Sequence, residues 1–252
     1  MRRIFTIFLL LVTFVFAQTP SIEKIKNNVI NQFAQINDYQ VDMKISVKMT
    51  GFRMPKKKIH ISYKRPDKVK VSTSGFAILP KIGVDGNPSE FLDMMKNVTA
   101  IKRTIHNNSP FYKITGKVER DSLKIPVKVS KNEMPEINMD VLVDAKKWVI
   151  TKVSVYLESE SVFTFNTDYT EIEGIHVPKQ SMFKIGVKGI SKWSIQNPMD
   201  LGGPGSDRKG FETIAKNAGF DPDKDEFVGE IMMTFSKYKV NQGIKDIIFE
   251  EK

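Results

Sequence analysis

The residues whose chemistry would matter most are three histidines and a few spaced carboxylates. His60, His106 and His176 lie far apart, and none falls in a metal-ligand spacing such as H-x-x-x-H. The chain has no cysteine, which removes thiol nucleophiles, thiolate metal sites and any disulfide framework. Glu158/Glu160 and Glu171/Glu173 are two apart, so a strand would put each pair on one face. Such pairs can cleave glycosides, but these sit in charged segments that read as solvated surface. Asp221, Asp223 and Asp225 invite a calcium loop. An EF-hand needs glycine sixth and an acid twelfth, where this chain has Glu226 and Met232. No G-x-S-x-G elbow or phosphate-cradling glycine loop is present. The expectation is a protein that is not an enzyme and uses no cofactor or metal.

One polar residue stands out by its setting. Ile59, Ile61 and Tyr63 alternate with polar residues, the pattern stops at Lys64-Arg65-Pro66, and it resumes at Val69 and Val71. Period-two alternation is a half-buried strand. A proline lacks an amide proton and restricts the residue before it, so it ends the strand. Arg65 is therefore expected on the rim of a sheet.

The rest of the chain supplies that sheet. Thr19-Pro20 reads as a helix start, and Ile22, Ile25, Val29, Phe33 and Ile36 form one apolar helical face ending near Asn37. Val41, Met43, Ile45, Val47 and Met49 alternate strictly with polar residues. A basic link, 51–58, then joins this strand to the next, and three antiparallel strands form a meander. Residues 75–86 suggest a short strand and a turn. Asn87-Pro88-Ser89-Glu90 reads as a capped helix start, with Phe91, Leu92, Met94, Met95 and Val98 on a Met-rich helix. Strands follow from residue 99 around Tyr112–Val118, Leu123–Val129, Ile137–Val143, Val149–Leu157, Phe163–Phe165 and Val177–Val187, the last broken at Gly186. His60 and His176 fall on the polar phase of their strands. A loop-rich insertion at about 191–227 holds one short helix, 208–218, and a last strand spans Ile231–Tyr238. The fold class is α+β: a strongly curved antiparallel sheet, an incomplete barrel, whose concave apolar face is covered by a few helices.

Export is the second expectation. Met1-Arg2-Arg3 is followed by about 13 mostly apolar residues, short of the ~20 a bilayer span needs, and then by Ala17. That order is a signal peptide cleaved after residue 17, leaving 18–252 as one soluble periplasmic domain. The formal charge is +10, of which Arg2 and Arg3 leave with the signal. A basic exported chain without a nucleic-acid reader motif favours membrane or lipid contact over nucleic acid.

Four stretches, in order, resemble the periplasmic outer-membrane lipoprotein carrier family (LolA/LolB-like). They are an amphipathic helix running into NDYQVDMKIS, the K-R-P of YKRPDKVKV, the hairpin MDVLVDAKKWVITKVSVY, and the hairpin FTFNTDYTEIEGIHVP. Together they cover most of residues 21–190. Departures are Val69 and Val71 where the family has an aromatic, Asp85-Gly86 running into Pro88, and the large insertion. The resemblance implies a half-barrel holding acyl chains, moving acylated lipoprotein or lipid toward the outer membrane through transient contact with membranes or with membrane-bound donor and acceptor proteins. It also implies that Arg65 hydrogen-bonds a helical lid. The alternation then nominates Val41, Met43, Ile45, Val47, Ile59, Ile61, Tyr63, Met139 and Val141 for the cavity wall, and Phe91 and Met95 for the lid. A monomer is expected. The alternative is an envelope interaction or sensing module without a lipid cavity.

Overall fold

A computed structural model describes residues 19–49, 52–73, 89–106, 108–118, 127–128, 136–188, 194–195 and 226–250. The expectations for residues 1–18, 75–88, 123–126 and 129, and for the calcium triad and helix of the 191–227 insertion, lie outside those residues.

Helix α1 (Ile22–Ala34) buries Ile25 and Val29 against the sheet, as the three-and-four spacing predicts. Its cap is not Thr19. The Ser21 hydroxyl accepts the Lys24 amide at 3.3 Å, two residues later than the Thr-Pro pair suggests, and Glu23 complements the positive helix end.

Strands β1 (Asp38–Met49), β2 (Phe52–Lys64) and β3 (Lys68–Thr73) form the expected meander. The basic link at 51–58 is mostly strand. Pairing with β1 from Met49↔Phe52 onward supplies ladder hydrogen bonds that outweigh its turn-like composition. The Met-rich helix is also shorter than predicted. Helix α2 is only Glu90–Asp93, following Ser89, and Met95 and Val98 belong to β4 (Met95–His106), where β5 (Ser109–Val118) captures them through Met95↔Val118 and Val98↔Gly116.

The remaining strands are β6 (Val127–Lys128), β7 (Ile137–Asp144), β8 (Ile150–Leu157), β9 (Glu160–Ile172), β10 (Ile175–Lys188), β11 (Ser194–Ile195) and β12 (Glu226–Val240). A short helix, α3 (Ile247–Glu250), ends the described chain. β10 is not broken at Gly186, which pairs with Val228, and β12 runs well beyond both ends of the predicted 231–238 strand. Asp144 makes the β7–β8 turn, its carboxylate accepting the Lys146 and Lys147 amides at 2.8 and 2.9 Å.

Ten strands form one antiparallel sheet in the order β3-β2-β1-β12-β10-β9-β8-β7-β5-β4, and β6 pairs with β11 separately. Among the described residues the large sheet does not close, since β3 and β4 lie at opposite ends of that order. Its inner face carries the core: Val41, Met43, Ile45 and Val47 of β1 meet Ile59 and Ile61 of β2, Ile114, Met139, Val141 and Val153, with Ile25 and Val29 laid across. Phe183 is 2% exposed and touches the Phe165 ring at 4.4 Å and the Phe163 ring at 5.5 Å. Phe183→Ala should therefore lower stability by about 3–5 kcal/mol, measured by urea unfolding.

Candidate functional site

The sheet is wider than α1, and a cavity remains between the C-terminal half of that helix and the inner face. It measures about 130 Å³. Val29, Gln32, Phe33 and Ile36 of α1 form one wall, and Phe91 of α2 another. The floor comes from β1, β2, β9, β10 and β12, with Trp148 and Val149 entering from the β7–β8 turn. Among the described residues that line it, none is Lys, Arg, Asp or Glu.

The nominated residues divide into two groups. Val41, Met43, Ile61 and Phe91 line the cavity. Ile45, Val47, Ile59, Met139 and Val141 lie on the same buried face but are packed within the core. Met95 is also a core residue, close to Gly116, where an added Cβ would sit 3.0 Å from its sulfur. Tyr63 stacks on Tyr39 at 5.1 Å and joins a second cluster with Ile36, Ile175, Val177 and Val240.

Several lining residues are not anticipated by the alternation. His176 is 18% exposed and reaches the cavity, against the expectation of an exposed histidine. It lies beside the register shift between Pro178 and Gln180, where the strict two-sided alternation of β10 fails. Trp148 reaches in from a left-handed turn position (φ 54°) and stacks on Tyr112 at 5.7 Å. Tyr169 and Tyr238 complete the lining, each with its hydroxyl bound to a backbone carbonyl: Tyr169 donates to Ile150 at 3.0 Å and Tyr238 to Pro178 at 2.8 Å. Thr167 and Ser181, both 3% exposed, share a 2.9 Å hydrogen bond between their hydroxyls in the floor. These are pairs formed across strands, invisible in either strand alone.

Arg65 stands at the end of α1. Its guanidinium Nη1 donates to the Ala34 carbonyl at 2.7 Å, and its backbone amide donates to Asn37 at 2.8 Å. Ala34 and Gln35 present carbonyls at the helix C-terminus that have no partner within the helix. Asn241 serves the second of them: its side-chain amide donates to Gln35 at 2.9 Å, while its Oδ1 accepts the Asn37 amide at 2.7 Å. The buried Asp38 carboxylate in turn accepts the Gln242 and Gly243 amides at 2.9 and 3.0 Å. The chain after β12 is thereby tied to the helix end. Lys64 continues the strap, donating to Ile244 at 2.8 Å and to Asp246 at 2.5 Å, and Lys68 lies 3.0 Å from Asp246. These two lysines hold the Asp246 carboxyl below the usual carboxylate range. At its other end α1 is joined to α2 by the Lys26–Asp93 ion pair.

Glu158, Glu160, Glu171 and Glu173 are exposed, and no group of three or more His, Asp or Glu among the described residues is placed to hold a metal. The arrangement is suited to taking up an apolar group.

The fold and this pocket define a class: open antiparallel half-barrels with a helix across an apolar inner face. No family model matches the chain, and no curated protein matches it. Among solved structures, a LolA superfamily protein from Nitrosomonas europaea superposes with a TM-score of 0.52 at 10% identity, covering 92% of this chain and 98% of that one. A DUF1329 family protein from Desulfovibrio piger gives 0.49 at 9% identity, covering 91% and 97%. The chain has the LolA-like fold.

Burial pushes the Tyr169 and Tyr238 hydroxyls well above the ordinary tyrosine value. Their contribution to stability is complete below about pH 10, the unfolded value, and falls as pH rises above it. Ultraviolet titration of the folded protein should show these two hydroxyls silent near pH 10. Tyr238→Phe should reduce the alkaline loss of stability, measured by urea unfolding below and above about pH 10.

Proposed function

We propose that the protein is a non-catalytic carrier of acylated molecules, lipid or the acyl chains of lipoproteins, moving them toward the outer membrane. The single observation that supports this reading is the cavity, apolar in its walls and free of charged side chains among the described residues that line it. Burial of an acyl chain contributes roughly 0.8 kcal/mol per methylene without needing polar recognition. The LolA-like fold agrees with it, as do the four sequence stretches that resemble the carrier family. In this reading residues 1–17 direct export and are removed, and 18–252 act as one periplasmic domain. Donor and acceptor membranes, or proteins in them, are the transient partners.

Size gives the cavity a mechanism. At about 130 Å³ it is close to the ~150 Å³ engineered apolar cavity that accepts benzene. One slender chain segment fits, and a longer or multiply acylated cargo requires α1 to lift from the sheet. The bond from Arg65 to Ala34 opposes that movement at the helix end nearest the cavity. Arg65 acts as a latch on α1, not on the short α2 that the Met-rich stretch suggests.

Purified protein should take up a fluorescent fatty acid at one per chain and carry lipid into native mass spectrometry. An empty protein that refuses the dye would overturn the reading and favour an interaction module with a filled core. Val41→Trp, which fills the floor, should lower uptake at least tenfold while circular dichroism stays native. Arg65→Leu should speed dye release about fivefold, the effect of losing one hydrogen bond of about 1 kcal/mol. An unchanged release rate would remove Arg65 from the mechanism.

A further inference from the structure

The outer face of the sheet has an uncompensated charge that the cavity does not explain. Three cross-strand lysine pairs stand directly opposite one another: Lys64/Lys68, Lys102/Lys113 and Lys44/Lys58. Like charges in that position repel and weaken a sheet. In the first pair Asp246 reaches both lysines, at 2.5 and 3.0 Å. In the second Asp140 lies 2.9 Å from Lys113 and raises its pKa. Lys44 and Lys58 are both exposed, and among the described residues neither has an acidic partner. The adjacent carboxylate, Asp42, is already taken by His60 at 2.9 Å and Lys237 at 3.1 Å. Lys48, one pleat further along β1, is also exposed, and its register neighbour Glu230 lies 4.0 Å from Lys184.

We propose that the Lys44/Lys58/Lys48 face of β1 and β2 docks on an anionic lipid surface, whose headgroups supply the missing counter-charge. β1 lies between β2 and β12, so its backbone donors and acceptors are used in ladders on both sides. An extended peptide cannot add to a strand already paired on both edges. Lys44, Lys48 and Lys58 project flexible ammonium groups, and Arg53 stands opposite Lys48 in the register, a cationic strip that suits a diffuse array of phosphates. The half-buried pair Met182/Met232 lies on the same face and adds apolar contact. This face is opposite the cavity wall formed by Val41 and Met43, so docking leaves α1 free to move. The inference names a partner surface for the carrier reading and rests on that reading for its purpose, though not for its measurement.

The test is sedimentation with vesicles of phosphatidylcholine alone or with one quarter phosphatidylglycerol, using protein without added cargo. Binding to the anionic vesicles alone is expected, abolished at 0.5 M salt as the Debye length falls to about 4 Å. The combined Lys44→Gln, Lys48→Gln and Lys58→Gln variant should partition about a hundredfold more weakly, the scale set by three lysines at an anionic surface. Lys102→Gln with Arg103→Gln, on β4, should change it little. Wild-type protein that ignores anionic vesicles, or a triple variant that binds as well as wild type, overturns the proposal. So does binding to polyglutamate in place of vesicles, which would make the partner an acidic protein. Fatty-acid uptake by the triple variant should equal wild type. Wild-type protein that binds anionic vesicles but takes up no fatty acid would sink the carrier reading and leave the docking face standing.

Discussion

A sheet with one apolar face has to cover it, and here the main described cover is short. α1 has 13 residues, about 20 Å of helix. Ten strands spaced about 4.8 Å apart would span over 40 Å if laid flat. The helix therefore reaches across only part of the face, and curvature brings the rest toward it. Everything at the site follows from that mismatch. The cavity is space that α1 and α2 leave uncovered, and the polar bonds around it hold the helix where its own packing is thinnest.

Those bonds gather at one point. The C-terminal carbonyls of α1 need partners, and the short connection to β1 places them beside the end of β2 and the end of β12. Arg65 comes from one side and Asn241 from the other. Neither is deeply buried, so each bond is weak against global unfolding. Both oppose the specific movement of the helix end. The lid proposed above would need that distribution: a firm sheet, a modestly held cover, and contacts that break without exposing the core.

Much of this was legible in the order of residues. The alternation at Val41–Val47 and Ile59–Tyr63 identified the inner face, and the proline after Arg65 marked the rim. The fold class followed from many one-faced strands and few helices. The pocket itself was not legible. Trp148, Tyr169 and Tyr238 come from a turn and two separate strands, and they meet only because β12 returns between β1 and β10. Met95 carried a helical pattern and became strand because β5 supplied ladder partners. Ile45, Val47, Met139 and Val141 share a face with the cavity residues, and periodicity assigns a face, never a depth within it.

The position of β12 bears on how the chain can be delivered. Before β12 is available, β1–β3 and the β4–β10 array have no strand in common, and each presents an open edge where the other should join. The joining strand is the last in the described sequence, separated from its partner β1 by nearly the whole chain. Such distant closure is slow, because loop entropy is lost before the contacts form. A polypeptide threaded through a pore from its N-terminus would thus remain two unfinished halves until its final strand emerged. In the exported protein proposed above, this topology would delay folding until β12 had crossed.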